Sequence, residues 1–156
     1  MTHLTQIAKH FKDVHFGGNW TTVDLKTVLS DVTWQEAVTP VHGLNTIAAL
    51  VFHMNYYVSA VLKVLEGGTL QASDKVSFDV PAITNEAAWR LLVDKALTEG
   101  DAFATAITTL HEPQLFEVFE KEAYGNYYRN LLGIIEHTHY HLGQIAVIKK
   151  ILRDGK

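Results

Sequence analysis

Three histidines alternate near the end of the sequence, in the stretch IIEHTHYHLGQ that contains His137, His139 and His141. In an α-helix, residues four positions apart lie one turn apart on the same face, so His137 and His141 can converge on one point. His139 points to roughly the opposite side of such a helix. The spacing therefore predicts a pair of inward-facing imidazoles, which could bind a metal ion if another element supplied a further ligand.

The candidate for that further ligand is His53, in the apolar stretch AALVFHMNYY. A buried imidazole without a partner is costly, and a cation shared with His137 and His141 would remove that cost. A site of nitrogen ligands suits zinc, nickel, iron or copper, and we expect a divalent metal, zinc or nickel. The alternative is that the three histidines are core residues satisfied by ordinary hydrogen bonds.

Other polar and aromatic residues give weaker indications. Glu136 and His139 form one ExxH pair, but a di-iron bundle needs a second such pair, and the sequence has none. We expect Arg129 to form a surface ion pair, although it could hold a substrate carboxylate. Aromatic residues usually fill a helical core, but three of them could line a cleft beside the metal: Trp20, Tyr56 and Tyr128. We expect the remaining helical histidines to be solvated: His3, His10, His15, His111 and His139.

The composition narrows the classes of function. The chain has 156 residues, 47% of them hydrophobic, which predicts a single globular domain spanning residues 1–156. A net charge of −4 without a basic block argues against a nucleic-acid partner. The sequence has no cysteine, which excludes disulfides and zinc–thiolate sites and fits a cytoplasmic protein. We expect neither a signal peptide nor a membrane-spanning segment.

Helical periodicity dominates the chain and indicates the elements that must position the histidines. Four long helices are predicted at residues 2–15, 46–66, 84–110 and 127–153, the last capped by Asn126. A short extra helix is predicted at residues 24–31, an extended irregular segment at 68–83, and a linking segment with one helical turn at 112–125. The predicted fold is an all-α four-helix bundle with long connections.

The stretch HTHYHLGQ resembles the H-x-x-x-H-x-G-Q signature on the last helix of the DinB/YfiT-like superfamily. ALVFHMNYY resembles the histidine segment on that family's second helix, and the order of elements agrees over nearly the whole chain. The resemblance implies a four-helix bundle in which His53, His137 and His141 hold a divalent metal. It also implies that Gln144 orders the ligands from outside the metal shell and that the small Gly143 allows close helix approach. This chain has Tyr140 where many relatives carry a further histidine, so the pocket chemistry is expected to differ.

The resemblance also implies a homodimer and a reaction that involves a small-molecule thiol or electrophile. The expected function is therefore that of a metal-dependent enzyme of thiol-transferase or hydrolase type, with catalytic residues that the sequence does not identify. A non-enzymatic metal-binding or stress-response protein with the same three ligands is the alternative. A purely structural bundle, with histidines that bind no metal, is a third.

Overall fold

The computed structural model describes residues 2–154, and all of their regular structure is helical. Two short 3-10 turns, Glu112–Phe116 and Glu122–Tyr124, precede the last helix. No β-strand forms among the described residues, apart from isolated backbone pairs such as Val41 with Leu44. The all-α prediction is confirmed. The six α-helices are α1 (His3–Phe16), α2 (Leu25–Leu29), α3 (Trp34–Val38), α4 (Ile47–Leu65), α5 (Glu86–Thr109) and α6 (Tyr127–Asp154).

The long helices begin where short polar side chains can accept hydrogen bonds from the first free backbone N–H groups. The Thr46 hydroxyl accepts from the Ala49 amide at 3.2 Å, and the Asn85 carbonyl oxygen accepts from the Ala88 amide at 2.9 Å. Asn126 caps α6 in the same way. These contacts satisfy donors that a helix start leaves without partners, so the sequence located the starts to within two residues.

Helix α3 was missed by the sequence analysis, which assigned no helix between residues 32 and 40. Thr33 caps this helix, and the Glu36 side chain accepts a hydrogen bond from the Thr33 backbone amide at 3.0 Å. The T-x-x-E spacing is the usual signature of a capping box, so a signal for the helix was present in the sequence. Its shortness, five residues, gave too little periodicity to reveal it otherwise.

The four long helices pack in the order α1–α5–α4–α6. Helix α4 lies against α5 and α6, and α1 lies against the same two helices from the other side. The apolar faces of these helices meet in one core, which removes their side chains from water. Its largest fully buried residues include Trp89, Phe11, Phe103, Phe119, Ile47, Ile107 and Leu142.

The C-terminal end of α6 is tied to the short helices. Arg153 bonds to the carboxylates of Asp31 and Glu36, and the Lys149 ammonium donates to the Val28 carbonyl oxygen at 2.7 Å. The hydrogen bond from Arg153, followed by that from the Thr33 backbone amide, holds the pKa of the Glu36 carboxyl well below its usual range, at about 2. The tether fixes the position of α6 along α4, on which the alignment of their histidines depends.

Helix α4 is also the one described helix that is long and apolar enough to cross a membrane by length and composition. It has a mean hydropathy of 1.4 over its apolar window, but 67% of that window is buried inside the fold. Its apolar side chains already pack against the other helices. The burial is typical of a core helix in a water-soluble domain.

His15 is a correction to the sequence analysis, which expected it to be solvated. Its side chain is 2% exposed, and its Nδ1–H donates to the Phe11 carbonyl oxygen at 3.2 Å. The imidazole lies against the Phe11 ring, with the centroids 4.2 Å apart, and against Gly100 on α5. Burial is the main reason why the pKa of His15 falls to about 4.

Candidate metal centre

The neighbouring helices α4 and α6 bring His53, His137 and His141 together. The Nε2 atom of His137 lies 3.1 Å from the Nε2 atom of His53 and 3.1 Å from that of His141. Within residues 2–154, this is the one group of three or more potential ligand side chains close enough to share an ion, with ligand atoms within 4.8 Å of one another. The i, i+4 pair and the histidine on the facing helix therefore meet at one point.

His53 is held by the segment that connects α4 to α5. Its Nδ1 atom lies 3.1 Å from the Ser77 hydroxyl oxygen and 3.3 Å from the Ser77 carbonyl oxygen. The Ser77 hydroxyl itself donates to the Asp74 carbonyl, so His53 must be the donor in both contacts. Because Nδ1 carries the proton, the Nε2 atom of His53 presents a lone pair.

His141 is oriented in the same way by Gln144. The side-chain oxygen of Gln144 accepts a hydrogen bond from the Nδ1–H of His141 at 2.6 Å. In the neutral tautomer with its proton on Nδ1, His141 presents a lone pair at Nε2. A hydrogen bond to the non-ligating nitrogen is the usual way in which proteins fix a metal-binding histidine, and Gln144 is the residue to which the family resemblance assigned that role.

The three imidazoles cannot all satisfy one another by hydrogen bonds. As a neutral ring, His137 has one N–H and can direct it to one of its two Nε2 neighbours at most. Its Nδ1 atom is buried and has no hydrogen-bond partner among the described residues. The two contacts between Nε2 atoms therefore share at most one proton. Three converging nitrogen atoms with lone pairs are a ligand set that fits a cation.

Burial favours the neutral form of the His53 and His137 rings. It is the main cause that lowers the pKa of His137 to about 4, and the neighbouring His141 and His53 lower it further. Burial, followed by the proximity of His141, also lowers the pKa of His53. Neutral imidazoles are the form that binds a metal ion.

An aromatic side chain of the segment between α4 and α5 covers one face of His53. Phe78 stacks on His53 with the ring centroids 3.8 Å apart and the planes 9° from parallel. The Tyr57 hydroxyl donates to the Asp74 carboxylate at 2.5 Å and so joins α4 to the same segment.

This segment was predicted to be irregular, and Ser77, Phe78 and Asp74 were not identified from the sequence as part of the site. Their partners lie 17 to 25 residues away, which no local pattern reveals.

A cavity of about 640 Å³ opens beside His53 and His137. This volume lies in the range of small-molecule sites. A ligand bound here would be next to the converging Nε2 atoms. Besides His53 and His137, its lining includes Tyr57, Asp74, Tyr124, Arg129, Asn130, Gly133 and Ile134.

The aromatic residues predicted to line a cleft lie elsewhere. Trp20 is fully exposed and borders a groove with residues of α1. Tyr56 accepts a hydrogen bond from the Ser73 amide and lines a separate apolar cavity between α4 and α5. Tyr128 is 40% exposed and stacks on Phe116. Tyr57 and Tyr124 line the cavity beside the histidines instead of Tyr56 and Tyr128. Neighbouring residues of a helix point to different faces, so Tyr57 faces this cavity and the adjacent Tyr56 does not.

Two further residues of the histidine motif, Gly143 and Tyr140, are exposed. Gly143 is exposed, and a Cβ atom built there would meet nothing within 4 Å, so it does not allow a close helix approach within one chain. Tyr140 is 65% exposed, and its ring centroid lies 4.9 Å from that of His141. Tyr140 therefore borders the site from outside the cavity.

Comparisons of the chain with protein-family models, with curated proteins and with solved structures each find no match. The metal site is therefore indicated by the geometry of the three histidines and not by a relative.

Proposed function

We propose that the chain binds one divalent metal ion through His53, His137 and His141 and uses it in a reaction on a small molecule. The observation that carries the proposal is the convergence of three Nε2 atoms, two of which belong to rings that donate a hydrogen bond from Nδ1. A structural zinc site is closed by four protein ligands, whereas three protein ligands beside a cavity are typical of a catalytic site.

A divalent ion bound here supplies Lewis acidity and lowers the pKa of a coordinated water or thiol. Residues of the chain determine which molecules can approach the ion. Phe78 covers one face of the His53 ring, and the cavity beside His53 and His137 admits a ligand. With no cysteine in the chain, any thiolate nucleophile must come from a cosubstrate. The reaction class that we propose is therefore thiol transfer or hydrolysis.

The fold and the histidine motif together support a DinB/YfiT-like four-helix bundle, which we propose as the family. The order of α1, α4, α5 and α6 and the positions of the three histidines on α4 and α6 agree with that assignment. The absence of cysteine supports a reducing compartment, which we propose is the cytoplasm.

We also propose a homodimer formed through α6. Exposed apolar side chains recur along its outer surface at Tyr140, Val147 and Ile151, with Gly143 between them. Their spacing of three and four residues places them on one face, and a neighbouring copy of α6 could cover that face. We call these four residues the outer stripe of α6.

The competing function is metal binding without catalysis. Among the described residues, Asp74 is the one carboxylate that lines the cavity, and it already accepts a hydrogen bond from Tyr57. A free general base beside the histidines is therefore missing from that lining. A chain that only sequesters metal would need none.

An open coordination position distinguishes the two functions and can be tested with cobalt(II), whose visible spectrum reports its ligands. We expect addition of a small thiol to cobalt-loaded protein to produce a sulfur-to-cobalt charge-transfer band. An analogous alcohol is the control and should produce none. A spectrum that stays unchanged with every small thiol would contradict an open, thiol-accessible position and favour sequestration.

A further inference from the structure

The cavity beside the histidines extends well beyond them along α6. His137 and Arg129 both line it, and Asn130, Gly133 and Ile134 lie between them on the same wall. Eight residues of α-helix span about 12 Å along the axis. The cavity therefore has two chemically different ends, with His53 and His137 at one and the Arg129 side chain at the other.

Arg129 has no carboxylate partner among residues 2–154, which corrects the expectation of a surface ion pair. The chain has three arginines. Arg90 pairs with Glu86, and Arg153 pairs with Asp31 and Glu36. Arg129 is the exception, since its side chain makes no ion pair or hydrogen bond with the described residues.

The base of the Arg129 side chain is fixed by the turn that precedes α6. Gly125 has a φ of +75°, which favours glycine, and a Cβ atom there would lie 3.1 Å from the Cδ atom of Arg129. The Arg129 amide donates to the Asn126 side chain at 2.9 Å. The Asn130 side chain donates to the carbonyl oxygens of Tyr124 and Asn126 and so holds the same turn. These contacts place the arginine stem against the backbone at the cavity wall.

A guanidinium at a cavity wall is suited to one kind of ligand group. It is always charged and presents a planar fork of donors that matches a carboxylate through two parallel hydrogen bonds. The one acidic residue in the described lining, Asp74, is bonded to Tyr57. An incoming anion would therefore find Arg129 free of a competing carboxylate.

We propose that Arg129 is a specificity-determining residue that binds the carboxylate of a small organic acid, while the other end of that acid reaches the metal. The proposal rests on the metal function proposed above and adds the substrate class. The natural ligand then has an anionic group separated by several bonds from its reactive group. Neutral analogues of the same size bind more weakly, because they lack the charge-assisted hydrogen bonds that a carboxylate makes with the guanidinium.

The test uses zinc-loaded protein and a series of ω-mercapto carboxylic acids of increasing chain length, each beside its primary amide. Isothermal titration calorimetry gives the dissociation constant of every member. We expect the wild type to prefer the acid over the amide by about tenfold or more at the chain length that matches the cavity, as a charge-assisted pair would give. Arg129→Gln should remove that preference, and Arg129→Lys should retain part of it. Lys26→Gln, which removes one exposed positive charge on α2, should leave it unchanged.

Metal content measured on the same samples separates this proposal from the metal function. A wild type that binds zinc but shows no acid preference at any chain length overturns the role of Arg129 and leaves the metal site intact. An acid preference that persists in Arg129→Gln also overturns it.

A second readout needs no metal. In metal-free protein, succinate should shift the side-chain Nε–H NMR signal of Arg129, and succinamide should not. The signal is identified by its loss in Arg129→Lys. A shift in protein that binds no zinc would support the carboxylate site even though the metal function had failed. Absence of the shift in metal-free protein would overturn the carboxylate site whatever the metal result.

Discussion

At the scale of single residues, the hydrogen bonds at Nδ1 decide what the histidine cluster can do. Ser77 and Gln144 each accept from one imidazole and so leave its Nε2 atom free to bind a cation. The i, i+4 spacing and the helical register of His53 could be predicted from the sequence. The partner of His53 could not, because Ser77 lies 24 residues away in an irregular segment.

Gln144→Leu should weaken metal binding by about 10- to 100-fold, because His141 loses the acceptor that orients it. Ser77→Ala is the matched comparison. The Ser77 backbone carbonyl, 3.3 Å from His53 Nδ1, remains in that variant, so the loss should be clearly smaller. Competition for zinc against a chelator of known affinity gives both values. Equal losses in the two variants would contradict the assigned roles.

His15 should make the metal-free protein less stable as the pH falls. Its pKa is about 4 in the folded chain and 6.5 in the unfolded chain, so below pH 6.5 the unfolded state binds the additional proton. Stability is then lost between about pH 6.5 and pH 4, by about 3 kcal/mol for this group alone. Urea unfolding at several pH values should show a flatter dependence over this window in His15→Leu than in wild type. His53 and His137 are common to both proteins, so their contributions cancel in the comparison. Parallel curves would contradict the burial argument.

At the scale of elements, packing between neighbouring helices and the segment from α4 to α5 build the site. The segment, residues 66–85, contacts α4 through Asp74, Ser77 and Phe78 and is a wall of the cluster. Long irregular connections of this kind are often functional. Periodicity located the long helices well because each buries one face. It could not assign contacts to a segment that has no period.

Gly100→Ala tests the packing of α1 against α5. The added Cβ atom would lie 2.6 Å from the Cδ2 atom of His15, which is confined between Phe11 and α5. Overpacking of this kind costs about 1–3 kcal/mol, more than the gain of about 1 kcal/mol in helix propensity. Gly133→Ala, where a Cβ atom meets nothing within 4 Å, is the control and should be neutral or stabilising. Urea midpoints that rise in both variants would show that α1 and α5 are less tightly packed than described.

At the scale of the whole molecule, the fold class followed from the sequence because helical periodicity runs through nearly every segment. The oligomeric state could not be derived in the same way, because an exposed apolar stripe indicates that a partner binds there but does not identify that partner. The family resemblance implied that the small Gly143 allows a close helix approach, and a Cβ atom built there meets nothing within 4 Å among the described residues. Its open surroundings leave the outer stripe of α6 available to a second copy.

Val147→Asp should dissociate the proposed dimer, because it places a charge in the middle of the outer stripe of α6. Val147 is 57% exposed, so the change should leave the fold of the single chain intact. Leu91→Asp, at a 73% exposed position on α5, is the control. Sedimentation equilibrium should give a dimer for wild type and Leu91→Asp and a monomer for Val147→Asp. A wild type that is monomeric at all concentrations would contradict the dimer.

The most direct test of the central claim is the metal content of tag-free protein, measured by elemental analysis after exposure to zinc or nickel. We expect about one metal ion per chain in the wild type, as a single three-histidine site requires. His53→Ala, His137→Ala and His141→Ala should lose it, and His111→Ala, which removes an exposed histidine, should keep it. Wild-type protein without metal, or metal retained at full occupancy in all three site variants, would contradict the assignment of these histidines as metal ligands.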